Sequence, residues 1–323
     1  MSTRIELILG AGSFGKPGPK SNGARVHTVE QCREMVDAFV RYGHKKIDTA
    51  RIYGGGTSEE FLGEIDVKGC TVDTKVYPMQ PGDHAPARLR AIFRESIKAL
   101  NGQKVHTLYL HAADRSVPYE DTLREVNEMH REGLLEEFGL SNFYAWEVAE
   151  IVGIAKRNDW IGPTVYEGCY NAVERTVETE LLPCLRHFGI RFYAYSPLCG
   201  GLLVGKLLNE TDLRNSTGGR WDPKVTDLAP TLHRIYAPLL PVLKELKEAA
   251  EKHGIPLPEV AQRWLQHHSL LQPGDAVILG AGSASQLEDN MKQCEGGPLS
   301  EDVVDMVNEA WAKAKANASY YAW

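Results

Sequence analysis

Asp48, Tyr53, Lys75 and His111 are the residues whose types and spacing could do chemistry. Asp48, Lys75 and His111 each close a short β-branched run, and Tyr53 follows Asp48 in Asp48-Thr49-Ala50-Arg51-Ile52-Tyr53-Gly54. A tyrosine hydroxyl titrates near ~10, too high for an efficient proton donor at neutral pH. A lysine ammonium beside it favours the phenolate and lowers that value. An aspartate beside the lysine fixes the ammonium and keeps it charged against desolvation. A histidine near the phenol can hydrogen-bond a substrate oxygen or help pass the proton. The set suits protonation of a developing alkoxide, and such a donor needs a hydride source, which is a nicotinamide's work. It is not a Ser-His-Asp nucleophile, and no metal-ligand spacing accompanies it. Taken singly, each residue is more simply a polar residue at a strand end; their convergence is what argues for catalysis.

They converge only if the strand ends share one rim. Eight short runs read as strands: Ile5–Leu9, Lys45–Asp48, Cys70–Lys75, Val105–Leu110, Glu137–Leu140, Pro163–Tyr166, Ile190–Tyr195 and Ala276–Leu279. Amphipathic helical patterns separate them. One starts at Thr28 with Gln31 completing a capping box. Another carries Leu89, Ile92, Phe93, Ile97 and Leu100 on one face, and another runs from Thr176 to Phe188. Alternating strands and helices predict a (β/α)8 TIM barrel, in which ionisable residues at strand C-termini line the mouth. The alternative is a doubly wound open sheet. Gly10-Ala11-Gly12-Ser13-Phe14-Gly15 fits its G-x-G-x-x-G signature. No helix follows until Thr28, however, so the turn reads as a loop at the barrel mouth. The long interval before the last strand holds a Gly/Asp/Asn-rich loop, Asn209–Asp227, read as a lid. It also holds helical patterns at Pro238–His253 and Pro258–His268, one of them outside the barrel. The expectation is a single domain spanning 1–323 with a lid loop and an extra C-terminal helix.

At 323 residues with 43% hydrophobic and 24% charged residues, the chain can bury a large core without metal or disulfide staples. A net charge of −7 offers no basic stripe for nucleic acid. The six cysteines form no C-x-x-C pair and fit reduced thiols in a cytoplasmic protein. No run is long enough for a membrane span, and the N-terminus does not read as a signal peptide.

Several segments resemble the aldo-keto reductase superfamily: Asp48-Thr49-Ala50 with Tyr53-Gly54, Thr74-Lys75, Leu108-Tyr109-Leu110-His111, Gly139-Leu140-Ser141-Asn142 and Ala194-Tyr195-Ser196-Pro197-Leu198. The runs Ala145–Ile151, Pro163–Tyr166, Val177–Leu181, Pro183–Gly189 and Gly200–Leu203 are similar to its aflatoxin B1 aldehyde reductase branch. The resemblance implies an NADPH-dependent aldehyde reductase, with some ketones as substrates. Tyr53 would be the general acid, Asp48 and Lys75 its tuners, and His111 would orient the carbonyl. Ser141, Asn142 and Glu167 would hold the nicotinamide carboxamide, and Asp48 would also lie against the cofactor. Tyr195 would stack on the nicotinamide. Ser196, Pro197, Leu198, Gly200, Gly201, Leu202, Gly205 and Lys206 would wrap the pyrophosphate, with Arg220 reaching it from the lid. Gly282, Ser283, Gln286, Asp289 and Asn290 would cradle the adenosine 2′-phosphate. A helix beginning near Gln286 would favour an anion there on physical grounds alone, although a plain N-cap is the commoner use of such serines. Phe14, Trp221 and Trp323 are expected as substrate walls. Dimers in the branch suggest a homodimer by analogy.

Three positions depart from the family pattern. Glu167 stands where the family has glutamine; an ionised glutamate only accepts hydrogen bonds and would favour the oxidised, positively charged nicotinamide. Gln286 stands where many members carry an arginine, which implies weaker discrimination against NADH. The tail Tyr320-Tyr321-Ala322-Trp323 lacks an arginine suited to carboxylates, and is either an aromatic cover of the mouth or a frayed end. Arg115 could bind an acidic substrate group, though a solvated loop arginine accounts for it more simply. Two other classes remain open: a cofactor-binding regulatory module with little turnover, and a lyase using Lys75 as a Schiff base.

Overall fold

The computed structural model describes residues 3–18, 21 and 23–322. Eight strands close a barrel: β1 (Glu6–Gly10), β2 (Lys46–Asp48), β3 (Thr71–Val76), β4 (Val105–Leu110), β5 (Glu137–Ser141), β6 (Val165–Cys169), β7 (Arg191–Tyr195) and β8 (Ala276–Leu279). Each pairs in parallel with its sequence neighbours, and β8 returns to pair with β1. Gly10 pairs with Asp48, Lys75 with Tyr109, and Ser141 with Glu167, so these strand ends reach one rim.

Two apolar layers hold this rim in place. Inside the barrel, Ile8, Tyr109, Val165, Tyr193, Ala276 and Ile278 pack together. Outside it, the strands meet the helices. The helix Val29–Arg41 turns Cys32, Met35, Val36 and Phe39 inward, and the Thr28–Gln31 capping box forms at its start, with reciprocal bonds of 3.2 Å. Pro86–Ala99 buries Leu89 and Phe93 in the same way.

The structure divides one of the expected helices. The pattern read from Thr176 to Phe188 is a 3₁₀ turn, Thr176–Glu178, followed by the helix Leu181–Phe188. The pattern at Pro238–His253 is the helix Leu240–Lys252, preceded by a 3₁₀ turn, Ala237–Leu239, and by a separate helix, Ala229–Tyr236, that the sequence pattern did not reveal. Pro238 and Pro241 lack the N–H that a continuous helix would need. The lid segment contains its own short helix, Glu210–Arg214. Beyond the barrel, the helix Glu301–Ala314 packs against Leu240–Lys252, with Lys313 paired to Glu245 at 2.5 Å. Among the described residues no helix is long and apolar enough to cross a membrane, and no group of His, Cys, Asp and Glu could hold a metal ion.

Candidate active site

β2 and β3 deliver Asp48 and Lys75 side by side, and their pairing continues past the rim. Thr49 N donates to Asp73 O at 2.9 Å, and Arg51 N to Lys75 O at 3.1 Å. The chain then folds over the mouth in the turn Tyr53–Gly56. Gly54 has φ +58, and a Cβ there would lie 2.6 Å from Phe14 O and 2.7 Å from Gly15 Cα. The β1 loop and the Tyr53 turn are therefore in backbone-to-backbone contact, which requires glycine on both sides.

The Lys75 ammonium is buried. It donates to Asp48 Oδ1 and to Thr49 O (2.9 Å), and Glu167 Oε2 lies 3.2 Å away. Its three protons thus face three acceptors. Its effect on Tyr53 is a through-space field, with Nζ 5.3 Å from the ring centroid. His111 meets Tyr53 edge-to-face at 5.7 Å and Tyr77 at 5.5 Å. The sequence brings the expected four residues together as a cluster, with Glu167 as a fifth member.

Burial would lower the ammonium of Lys75, but Asp48 and Glu167 outweigh it and hold the lysine charged well above its ordinary range. Burial pushes Glu167 well up and Asp48 up, each in spite of Lys75, and each carboxyl also raises or restrains the other's proton. One ammonium cannot compensate two carboxylates here, so the pair retains a proton. Burial, with help from Lys75 and His84, holds His111 well below the usual imidazole range and therefore neutral. For Tyr53 the expectation needs correcting. Lys75 does pull the phenol down, but burial outweighs it, and with Asp48 and Glu167 the phenol is pushed up to about 12.

Ser141 and Asn142 are buried at the end of β5, with Asn142 at φ +63. The Asn142 amide donates to His111 O and Ser141 Oγ, both at 2.9 Å, and Tyr195 Oη donates to Asn142 Oδ1 at 2.8 Å. Asn142 thereby ties β4, β5 and β7 together at the rim. After β7, Ser196, Cys199, Gly200, Gly201 and Gly205 all take positive φ. Leu202 is buried beneath this loop, while Lys206 is exposed at its end. Leu198 O accepts from Gly201 N (2.8 Å) and Leu203 N (3.1 Å), which closes the turn that follows Pro197. A Cβ on Gly201 would stand in open space, whereas Gly200 is covered by Trp221 and by the stem of Arg220.

Two expected substrate walls are placed otherwise. Phe14 is fully buried in the core, where no face of it is left for a substrate. Trp221 is buried too; its Nε1 donates to Gly200 O at 2.9 Å and its ring packs on His233 and Tyr236, so it pins the lid to the glycine loop. Trp323 lies outside the described residues. The preceding tail is docked: Tyr321 Oη donates to Glu180 (2.6 Å) and accepts from Ala145 N (3.1 Å), with Tyr320 against Tyr144. Arg115 forms a two-pronged pair with the buried Glu147, at 2.7 and 3.2 Å.

Ser283 caps the helix Ala284–Cys294, its side chain accepting from Gln286 N at 3.3 Å. Gln286 Oε1 accepts from Gly282 N (2.9 Å), and Asn290 donates to Gly280 O (3.3 Å), while Asp289 is exposed. Sequence reasoning missed Arg25. Its guanidinium lies against this helix start, Nε 2.9 Å from where a Gly282 Cβ would be, and its stem crosses Gly219 of the lid. No local motif marks an arginine in the β1 loop; only the closed barrel brings it there.

These features suit a dinucleotide. Glu167 Oε1 and His111 Nδ1 are buried without hydrogen-bond partners among the described residues, and the loop after β7 leaves Gly201 open. A helix start with a guanidinium beside it suits a phosphate.

Comparison with known proteins agrees. Residues 6–312 match the model of the aldo/keto reductase family. Among relatives, the chain is 45% identical over 321 residues to human aldo-keto reductase family 7 member A3, covering 95% of this chain and 94% of the relative. It is 44% identical over 305 residues to mouse aflatoxin B1 aldehyde reductase member 2, covering 88% and 83%. An aldo-keto reductase of Pseudocercospora fijiensis is 40% identical over 297 residues, covering 89% and 99%.

Proposed function

The chain belongs to the aldo/keto reductase family and is an oxidoreductase, and from that premise we propose that it reduces aldehydes, and some ketones, to alcohols with NADPH. The reduced nicotinamide, when bound, supplies hydride to the carbonyl carbon. Tyr53 gives its phenolic proton to the carbonyl oxygen as negative charge develops there. His111, held neutral, donates a hydrogen bond to the same oxygen and orients it. Lys75 stabilises the phenolate that Tyr53 leaves behind, and solvent reprotonates it. The high resting value of the phenol keeps Tyr53 protonated at neutral pH, as a donor must be.

Glu167, through its unpartnered oxygen, and Ser141 would hold the carboxamide. Tyr195 would support the ring. The loop from Ser196 to Lys206 with Arg220 would take the pyrophosphate, and Ser283, Gln286 and Arg25 the 2′-phosphate. The single observation that carries this reading is the buried Lys75 ammonium set between Asp48 and Glu167, 5.3 Å from the Tyr53 ring. The same anchoring disfavours a Schiff-base lyase, because an ammonium with three acceptors is no nucleophile.

The test is Tyr53→Phe. Aldehyde reduction should fall by about a thousandfold or more, while NADPH binding, read by quenching of tryptophan fluorescence, stays within about threefold. Retained turnover overturns the donor role. Rapid oxidation of NADPH by a simple aldehyde excludes a purely regulatory barrel, and borohydride trapping of substrate on Lys75 would revive the lyase.

A further inference from the structure

Glu167 does more in this geometry than face a cofactor. Its carboxyl is 2% exposed, with Oε2 3.2 Å from Lys75 Nζ and Oε1 buried without a partner. The charged and titratable groups around it come from every neighbouring element. β2 supplies Asp48, the following turn Tyr53, and β3 Lys75, with Asp73 acting on Asp48. β4 adds Tyr109 and His111, β7 adds Tyr195, which interacts with Tyr53, and the lid adds Arg220, which acts on Tyr53.

In that enclosure Lys75 contributes the single buried positive charge, and ionised Asp48 cancels it. The next proton to leave the cluster comes from Glu167 or from Tyr53. Whichever ionises first opposes the other across a low-dielectric gap. A glutamic acid is intrinsically the stronger acid by roughly six pH units, so Glu167 yields first.

We propose that Glu167 is a positioning residue that acts through Lys75 and Tyr53: its carboxyl holds the ammonium beside Asp48, and as pH rises it gives up its proton before Tyr53 does, so that its charge then keeps Tyr53 a phenol and delays the phenolate. The reverse reaction needs Tyr53 as phenolate, to accept the alcohol's proton as hydride leaves its carbon for the oxidised nicotinamide. Glu167 therefore confines alcohol oxidation to high pH. A neutral glutamine in its place would release that constraint.

The inference rests on Tyr53 as donor, yet it can be tested separately. The cofactor-free full chain, labelled with carbon-13 at tyrosine Cζ, reports the ionisation of each phenol, and Tyr53→Phe assigns the relevant signal. Glu167→Gln should lower the Tyr53 midpoint by about one to two pH units. Glu167→Asp, which keeps the charge, should leave it near the wild-type value. The pH for half-maximal alcohol oxidation should fall in Glu167→Gln by the same amount. A midpoint unchanged within about 0.3 units in Glu167→Gln, or lowered equally by the aspartate, overturns the proposal. Should Tyr53→Phe still turn over while Glu167→Gln shifts the Tyr53 signal, the donor assignment fails and the electrostatic role of Glu167 stands.

Discussion

Gly54→Ala tests whether the contact between two loop backbones sets the position of Tyr53. A Cβ at residue 54 would stand 2.6 Å from Phe14 O, 2.7 Å from Gly15 Cα and 2.8 Å from Thr57 Oγ1. Ordinary contact at a carbon is about 3.4 Å or more, so the two loops must part by roughly 0.7 Å. No side chain can swing aside, because the first two obstacles are backbone. The φ of +58 adds about 1 kcal/mol of left-handed strain for alanine. Tyr53 is the adjacent residue and is expected to move with the turn. A misplacement near 1 Å costs about a hundredfold in rate, so kcat for aldehyde reduction should fall by about 30- to 100-fold. Gly102→Ala is the control: its φ is +92, and a Cβ there meets nothing within 4 Å. It carries the backbone cost alone, about 1 kcal/mol in chemical denaturation, and should leave kcat unchanged. Steady-state kinetics and urea titration of both variants decide the matter. If Gly54→Ala keeps kcat within threefold of the control, the loop contact does not position the phenol.

Arg25→Ala should weaken NADPH binding by about five- to tenfold and NADH binding far less, since only one carries the phosphate; equal losses in calorimetric titration would remove Arg25 from the 2′-phosphate site. Asp275 accepts from Arg186 at 2.9 and 2.5 Å, from Phe192 N at 2.8 Å and from Gln272 N at 2.8 Å under the barrel floor. Asp275→Ala leaves those donors unmatched and should destabilise the fold by about 3 kcal/mol in urea unfolding. The hydrogen bond that His106 Nδ1 donates to Asp73, against the opposing effect of burial, raises His106 above its ordinary value. A raised folded-state value means stability that is complete below about pH 6.5 and lost as pH rises through the folded value. His106→Gln should therefore be less stable than wild type at pH 5.5, by under about 1 kcal/mol, and the gap should close at pH 9; a constant gap would exclude the ion pair as its origin.

The barrel was legible because its periodicities are redundant. A strand such as Val105–Leu110 needs only a continuous apolar run, and the helix after Thr28 announces itself through its cap as well as its buried face. Where local breaks carry no strong signal, the reading slipped. Thr176–Phe188 reads as one amphipathic run but is a 3₁₀ turn followed by a helix, and the helix Ala229–Tyr236, cut off from the next by Pro238 and Pro241 with their missing N–H groups, was not read at all. Phe14 and Trp221 failed for a related reason. An aromatic in a mouth loop can equally face the substrate or root the loop, and only the closed structure shows that both are rooted.

The proposed catalytic cluster divides the same way. Strand ends fix Asp48, Lys75 and His111 along the sequence, because parallel neighbours in a barrel present successive strand termini to one rim. What sequence order does not encode is the distance across the mouth. β3 and β6 are not neighbours, yet the barrel is narrow enough for the long side chains of Lys75 and Glu167 to meet at 3.2 Å. That cross-barrel contact turns Glu167 from a variant cofactor contact into part of the proton balance at Tyr53. A lysine expected to lower the phenol does not prevail because burial opposes it first, and the two carboxyls add to that opposition. On this proposal the residue type at 167 sets the pH range in which alcohol oxidation runs, because a neutral side chain there would leave the Lys75–Asp48 pair as the dominant field at Tyr53.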